Sequence, residues 1–222
     1  MAMLMIAFIT DMIAFAVANG LNVYYWKEVV GNSSYTSLVT FGGLVAGLPF
    51  VLMIPQLCKK FGKGAVLSGG SILTAIVYLI IFFAPTDNAG ILAILFIIAA
   101  GTAIIPSTVG WAMLPDIVEY GEWKHGIRGE GILTSGLTFT NKLGMALGGM
   151  LTGFALTVIG YDASLALQTT ETIRGIIFCR AILPVIGYAC SVLAMFFYDL
   201  DNKKNAQIMD ELMAQKTSIN AQ

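Results

Sequence analysis

The chain has 222 residues, of which 57% are hydrophobic and only 11% are charged, and its formal net charge is -1. A soluble domain carries about 25% charged residues, so this composition predicts a protein that resides in a lipid bilayer. The nearly neutral charge balance argues against nucleic-acid binding, which needs a basic face.

Six apolar stretches are each long enough to cross a hydrocarbon core, which takes about 20 residues of helix. Backbone groups cannot remain unpaired in lipid, so these stretches are predicted to be helices. We therefore expect an all-α membrane protein in which residues 1–200 form one bundle of six transmembrane helices. The first stretch begins almost at Met1, as expected for the middle of a longer protein. The predicted spans are about 3–26, 36–57, 65–84, 90–114, 131–158 and 175–198.

Lysine and arginine concentrate in three segments, 58–64, 115–130 and 201–222. With six spans these segments lie on one side of the membrane. The positive-inside rule then places them, and both chain termini, on the cytoplasmic side of the cell membrane. Apolar residues at helical spacing between positions 203 and 216 predict a short amphipathic helix within the tail.

Two further patterns concern the membrane interface and the packing of helices. Tyr24, Tyr25 and Trp26 end the first span, and aromatic residues at that place are typical of a membrane interface. Gly144, Gly148 and Gly149 predict a stripe of small residues that allows close helix approach, either in ordinary packing or in a dedicated dimer motif.

The charges of the chain crowd into residues 115–130, which are predicted to be a cytoplasmic loop. Its acids outnumber its bases, which argues against a phosphate site. A lone histidine, and cysteines without ligand spacing at Cys58, Cys179 and Cys190, do not favour a metal site. No nucleophile stands beside a base, so an enzyme is not favoured. The loop either forms a salt-bridge gate or merely keeps the segment solvated, and the candidate gate residues are Asp116, Glu119, Tyr120, Glu122 and Arg128.

Lys142 lies deep within the fifth span, roughly 18 Å along the helix from Glu130 at 1.5 Å per residue. A lysine at that depth is costly unless it is paired or reaches water, although its long stem could also snorkel toward the cytoplasm. Thr134, Thr138 and Lys142 form a row at i, i+4 and i+8, with Asn141 beside it. We expect this polar face to line a cavity and to bind a ligand that forms hydrogen bonds.

Asp11 lies well inside the first span. It is either hydrated near the cytoplasmic end of that helix or paired with Lys142 across the cavity.

Three segments resemble one transporter family. Residues 115–124, PDIVEYGEWK, followed by Arg128-Gly129-Glu130-Gly131 and then by Lys142, resemble the loop between helices ten and eleven of the melibiose-carrier-like glycoside–pentoside–hexuronide:cation symporters, members of the major facilitator superfamily. NVYYWKEVVGN at 22–32 resembles the end of the seventh helix in that family. KKFGK at 59–63 resembles the loop between helices eight and nine.

The resemblance implies that the chain is similar to the C-terminal six-helix half of a twelve-helix sugar transporter. It implies that Lys142 lies in the central cavity and that Thr138 lies near the sugar. Leu137 departs from the glutamine of the melibiose carriers. The coupling cation, Na⁺ or H⁺, would bind acids of the N-terminal half, and no other cofactor is expected.

Two functions follow from these observations. The first is the C-terminal half of a sugar:cation symporter that works by alternating access. Its partners would be the sugar, the lipid bilayer and an N-terminal six-helix half in the same or a separate chain. The alternative is a truncated or partner membrane subunit with a scaffold role, in which the polar face is an interface.

Overall fold

The computed structural model describes residues 2–86, 88–126, 129–165, 167–198, 207–208 and 211, and the regular structure within them is helical. The first helix is followed directly by a π-helical turn, Tyr25–Val29. The α-helices are α1 (Ala2–Tyr24), α2 (Ser34–Phe61), α3 (Lys63–Phe83), α4 (Ala89–Thr102), α5 (Ile104–Ala112), α6 (Leu114–His125), α7 (Glu130–Val158) and α8 (Thr170–Phe196).

Five helical segments of the described chain are long and apolar enough to cross a membrane: Met3–Val29, Ser34–Phe61, Lys63–Phe83, Ala89–Lys124 and Thr170–Phe196. The fifth predicted span corresponds to α7, which has 29 residues and is long enough. Asn141, Lys142 and numerous glycines and threonines lower the hydropathy of α7. Its crossing of the membrane therefore stays a prediction.

The prediction of a loop at 115–130 is wrong over most of its length, because the chain remains helical in α6 as far as His125. Pro115 lies in the first turn of α6, where its missing N–H costs no helical hydrogen bond. The helix ends at Gly126, whose positive φ of 69° is a conformation that glycine adopts readily. Only a short connection then remains before α7 begins at Glu130.

A single residue, Gly62, separates α2 from α3. Its backbone angles, φ 91° and ψ 148°, are accessible to glycine and strained for other residues. The two helices therefore follow one another without a connecting loop.

The centre of the bundle is α1, which packs against α7 and α8, while α3 packs against α8 and α2 packs against α4. The interface belt predicted at Tyr24–Trp26 is wrong for two of its residues. Tyr25 and Trp26 are buried, and both rings pack on Phe96 of α4. The π-helical turn begins at Tyr25, and both side chains point into the bundle.

Two of the three predicted small residues bring α7 against α1. A Cβ atom added at Gly144 would lie 2.6 Å from Cβ of Met12, and one at Gly148 would lie 2.5 Å from Cβ of Ala16. Because the contacts advance together along both helices, α1 and α7 run in the same direction. Gly149 has open space around it and takes no part in this contact.

Candidate functional site

The predicted polar row of α7 remains at the surface of the chain. Thr134, Thr138 and Lys142 are exposed, whereas Asn141 is half-buried beside α1. The Asn141 Nδ2 group donates a hydrogen bond of 3.1 Å to the sulfur of Met12. This contact places Lys142 at the level of Met12.

On α1, Phe15 and Asn19 are also exposed. At 3.6 residues per turn, they are rotated from the α7 contact of α1 by about a quarter turn. Thr138 and Lys142 are rotated from the α1 contact of α7 in the opposite sense. Because the two helices are parallel, these opposite rotations bring the exposed residues of α1 and α7 to the same side of the helix pair. We call the surface that they form the polar face, and its polar residues are Asn19, Thr134, Thr138 and Lys142.

Lys142 restricts what this surface can contact. A charge at the centre of a helix that faces lipid costs roughly 3 kcal/mol on insertion scales. Lys142 is the thirteenth residue of the 29 in α7, and it has no ion-pair partner among the described residues. Charged residues within spans face water-filled cavities or other protein, and the polar face is therefore suited to a wet cavity rather than to lipid.

The structure does not form the proposed pair of Asp11 and Lys142. Asp11 is 1% exposed and its Oδ1 atom accepts a hydrogen bond of 3.2 Å from the hydroxyl of Ser71 on α3. The hydroxyl of Ser191 on α8 also lies near this carboxyl, outside hydrogen-bond geometry. Asp11 precedes Met12 by a helical step of about 100°. It therefore points into the bundle while its neighbour faces α7, and the hydrated alternative does not fit its burial.

Among the candidate gate residues, Asp116 forms the clearest contact. Its Oδ1 atom lies 2.6 Å from the Nζ atom of Lys63, which also donates to the carbonyl of Ala112 at 3.1 Å. Arg128, the expected partner of Glu119 or Glu122 in such a gate, lies outside the described residues. The contact brings the start of α3 and the start of α6 together at one end of the bundle.

The other candidate gate residues lie along α6. Glu119 lines a cavity of about 80 Å³ with Glu130 and Thr134. Tyr120 packs against Trp123 and lies beneath the Lys124 ammonium. Glu122 is half-buried on the same helix.

The predicted amphipathic helix of the tail falls mostly outside the described residues. Ile208 is buried, and Glu211 accepts a hydrogen bond of 2.6 Å from the indole of Trp123. These two residues of the tail therefore pack against the main body of the chain, with Glu211 at α6.

Sequence reasoning missed Arg180, which is 4% exposed within α8. The sequence did contain the relevant signal, which is an arginine five residues after the start of the predicted span 175–198. An ionisable residue within a membrane span is a candidate functional residue by default.

Comparison with known proteins identifies relatives across nearly the whole chain. A family model described as MFS/sugar transport protein matches residues 1–202. The chain is 35% identical over 214 residues to a putative sulfoquinovose importer of Escherichia coli (strain K12), covering 96% of the chain and 45% of the relative. It is 32% identical to the uncharacterized symporter YnaJ of Bacillus subtilis (strain 168), covering 89% and 42%. It is 31% identical to a glucuronide carrier protein homolog of Escherichia coli (strain K12), covering 86% and 42%. The chain thus spans less than half the length of these relatives.

Proposed function

Because the chain belongs to the MFS/sugar transport protein family, we propose that it forms the C-terminal half of a twelve-helix sugar:cation symporter. The family match confirms the resemblance of the segments at 22–32, 59–63 and 115–142 to this class of membrane transporter. The substrate class is a glycoside, pentoside or hexuronide. The assignment to the C-terminal half rests on those three segments and on the fraction of the relatives that the chain spans.

The exposed position of Lys142 is the observation that carries this proposal. The described chain has no ion-pair partner for it and gives it no shelter from lipid. A second six-helix half placed against the polar face would enclose a wet cavity there and remove the cost of exposing the charge to lipid. The assembled transporter is accordingly this chain together with an N-terminal half, on the same or a separate polypeptide.

The polar face supplies the chemistry that a sugar requires. The Lys142 ammonium donates up to three hydrogen bonds, and the hydroxyls of Thr134 and Thr138 donate and accept. The contact of Asn141 with Met12 fixes the level of α7, and so of Lys142, against α1. The amide oxygen of Asn141 can accept a hydrogen bond from a sugar hydroxyl. Transport proceeds when the two halves rock about this midplane site.

Coupling to Na⁺ or H⁺ requires that cation and sugar favour the same conformation, which is a linkage between two sites. In this proposal the acids of the N-terminal half hold the cation. The buried Asp11, held by Ser71, lies away from the polar face and serves the packing of α1, α3 and α8.

The end of the bundle that carries Lys63 and Asp116 faces the cytoplasm in this proposal, as do both termini. The ion pair between these two residues supports placing segments 58–64 and 115–130 on one side, and their lysines favour the inner face of the cell membrane. Asp116, Glu119, Tyr120 and Glu122 of α6, together with Arg128, then act as the cytoplasmic gate.

Uptake into vesicles tests the proposal. Labelled glycoside, pentoside and hexuronide are offered to vesicles that contain this chain alone or the assembled transporter, with and without a Na⁺ or H⁺ gradient. We expect gradient-driven uptake only by the assembled transporter. Uptake by the chain alone would overturn its role as a half, and an absence of uptake by a correctly inserted assembly would favour the scaffold function.

A further inference from the structure

Arg180 is a buried cation whose donors are not used within the described structure. Its Cζ atom lies 4.6 Å from the ring centroid of Phe96 and 5.0 Å from that of Tyr78. These rings stabilise the positive charge but do not accept the N–H groups that lie in the guanidinium plane. Both Nε and Nη1 are buried without a hydrogen-bond partner.

No carboxylate among the described residues lines the space around the Arg180 side chain. A cavity of about 40 Å³ reaches its side chain, and its lining residues are apolar, aromatic or neutral polar. Of the two amides in the lining, Asn22 accepts from the indole of Trp26 and Asn19 donates to the carbonyl of Phe15. Asp11 does not line this cavity and is bonded to Ser71 instead, and it lies about 6 Å along α1 from Phe15, the nearest lining residue on that helix, at 1.5 Å per residue.

The cavity leads to the polar face. Phe15, Asn19 and Thr40 line it and are themselves exposed, while Tyr78, Phe96 and Arg180 form its buried end. Its volume is about three times the 10–15 Å³, approximately, that one water needs, which is comparable to the size of a carboxylate or sulfonate group. An anionic group that enters from the polar face would therefore meet the unused donors of Arg180.

Lys142 lies on the same polar face as the mouth of this cavity and is placed to contact the rest of such a ligand. It is level with Met12 through the Asn141 contact, and Asn19 lies seven residues further along α1. This separation is about 10 Å along the helix axis, comparable to a monosaccharide with its substituents. One sugar can then reach Lys142 with its hydroxyls and Arg180 with a charged substituent.

We propose that Arg180 binds an anionic substituent, a carboxylate or a sulfonate, of the sugar that this transporter carries. The inference rests on the proposed transport function and adds the substrate charge and the residue that recognises it. An arginine is always protonated in proteins, and its fork of N–H donors matches both kinds of oxyanion. Binding would supply acceptors to the guanidinium and would neutralise a charge that forms no ion pair among the described residues.

Equilibrium binding to the assembled transporter in lipid nanodiscs tests the proposal with three labelled probes. Methyl β-glucuronide carries a carboxylate, methyl 6-deoxy-6-sulfoglucoside carries a sulfonate, and methyl β-glucoside is the neutral match. Arg180→Gln removes the charge, and Arg180→Lys keeps the charge without the fork. Arg174→Gln is the matched control, because Arg174 lies in the same helix and is exposed.

We expect the unmodified protein to bind at least one anionic probe more tightly than the neutral probe. Arg180→Gln should weaken anionic binding about 30-fold or more, as expected for loss of a buried charged partner, and should change neutral binding by less than about threefold. Arg180→Lys should lose part of the preference, and Arg174→Gln should keep all of it. The probe with the larger loss identifies the carboxylate or the sulfonate as the preferred group.

Three results would contradict this assignment. Equal losses for charged and neutral probes in both Arg180 variants would show that the residue acts only through packing on Tyr78 and Phe96. Neutral binding without any anionic preference in the unmodified protein would overturn the role of Arg180 and leave the transport function standing. Binding of none of the sugars would overturn the transport function itself.

Discussion

Asp11, Lys142 and Arg180 are three charged residues of apolar segments, and each has a different environment. Asp11 is buried among α1, α3 and α8 with Ser71 as its partner. Arg180 is buried against aromatic rings, and Lys142 remains exposed on the polar face. A charged residue within a membrane span is rare, so the sequence alone marks each of the three as a candidate functional residue. The angular position of each side chain around its helix decides which neighbour it meets.

Replacement of Lys142 tests the polar face at this scale. Lys142→Ala in the assembled transporter should lower sugar uptake at least about tenfold, because a hydrogen bond from a charged donor contributes about 1.5–3 kcal/mol. Uptake is measured alongside the amount of inserted protein, which should not change, since the side chain is exposed. Lys59→Ala is the control, because Lys59 is an exposed lysine at the end of α2. Normal uptake by Lys142→Ala would remove the residue from the substrate site.

Helix packing at the scale of elements depends on which face the small residues occupy. Gly144 and Gly148 meet α1, whereas Gly149, the next residue along, faces open space. The contact sets the spacing of α1 and α7, and both helices contribute to the polar face. Close packing at two glycines is thus the physical reason that the polar residues of α7 and the exposed residues of α1 share a surface.

Gly148→Ala and Gly149→Ala form a matched pair that tests this contact. The added methyl at Gly148 would meet Cβ of Ala16 at 2.5 Å and the backbone oxygen of Ile13 at 2.9 Å, so α1 and α7 must separate. Overpacking of this kind costs about 1–3 kcal/mol. We expect a lower thermal midpoint and weaker sugar binding for Gly148→Ala only. Similar stabilities of the two variants in detergent would contradict the packing argument.

The ion pair of Lys63 and Asp116 connects α3 to α6 and is tested by exchanging the charges. Lys63→Asp and Asp116→Lys should each destabilise the protein, because each places like charges together at a partly buried contact. The double exchange should recover about 1 kcal/mol of coupling, a magnitude typical of residues in contact. Thermal unfolding of the unmodified protein, the two single variants and the double variant measures this coupling energy. Additive effects of the two single exchanges would show that the pair contributes nothing to the joining of these ends.

Membrane topology at the scale of the whole molecule depends on α7. Its hydropathy is lowered by the residues that we assign to the substrate, so composition alone leaves its crossing undecided. Its parallel contact with α1 favours crossing, because a helix packed along a membrane-spanning neighbour shares the depth of that neighbour. The polar residues that we propose to bind sugar thus make the insertion of α7 into lipid less favourable.

Cysteine labelling tests the topology. In a background without Cys58, Cys179 and Cys190, Lys60→Cys and Ser164→Cys report on the α2–α3 junction and on the connection between α7 and α8. A membrane-impermeant maleimide should label Lys60→Cys from the cytoplasmic side and Ser164→Cys from the opposite side. Labelling of both positions from one side would mean that α7 does not cross the membrane.

The sequence by itself determined the class of this protein. Its apolar content and the lengths of its apolar runs require helices in lipid, and the order of residues in the segment 115–131 predicts the transporter family that the comparisons confirm. The same reasoning predicts Lys142 and its row as a polar face, because the 3.6-residue period is local.

Only the tertiary structure decided the partners. Asp11 bonds to Ser71 and not to Lys142, Asp116 pairs with Lys63, and Arg180 meets Phe96 and Tyr78. Each of these contacts joins residues far apart in the chain, and depends on how neighbouring helices are rotated about their axes. Rotation follows from close packing at positions such as Gly144 and Gly148. Apolar composition places a helix in the membrane without specifying which of its faces meets which neighbour.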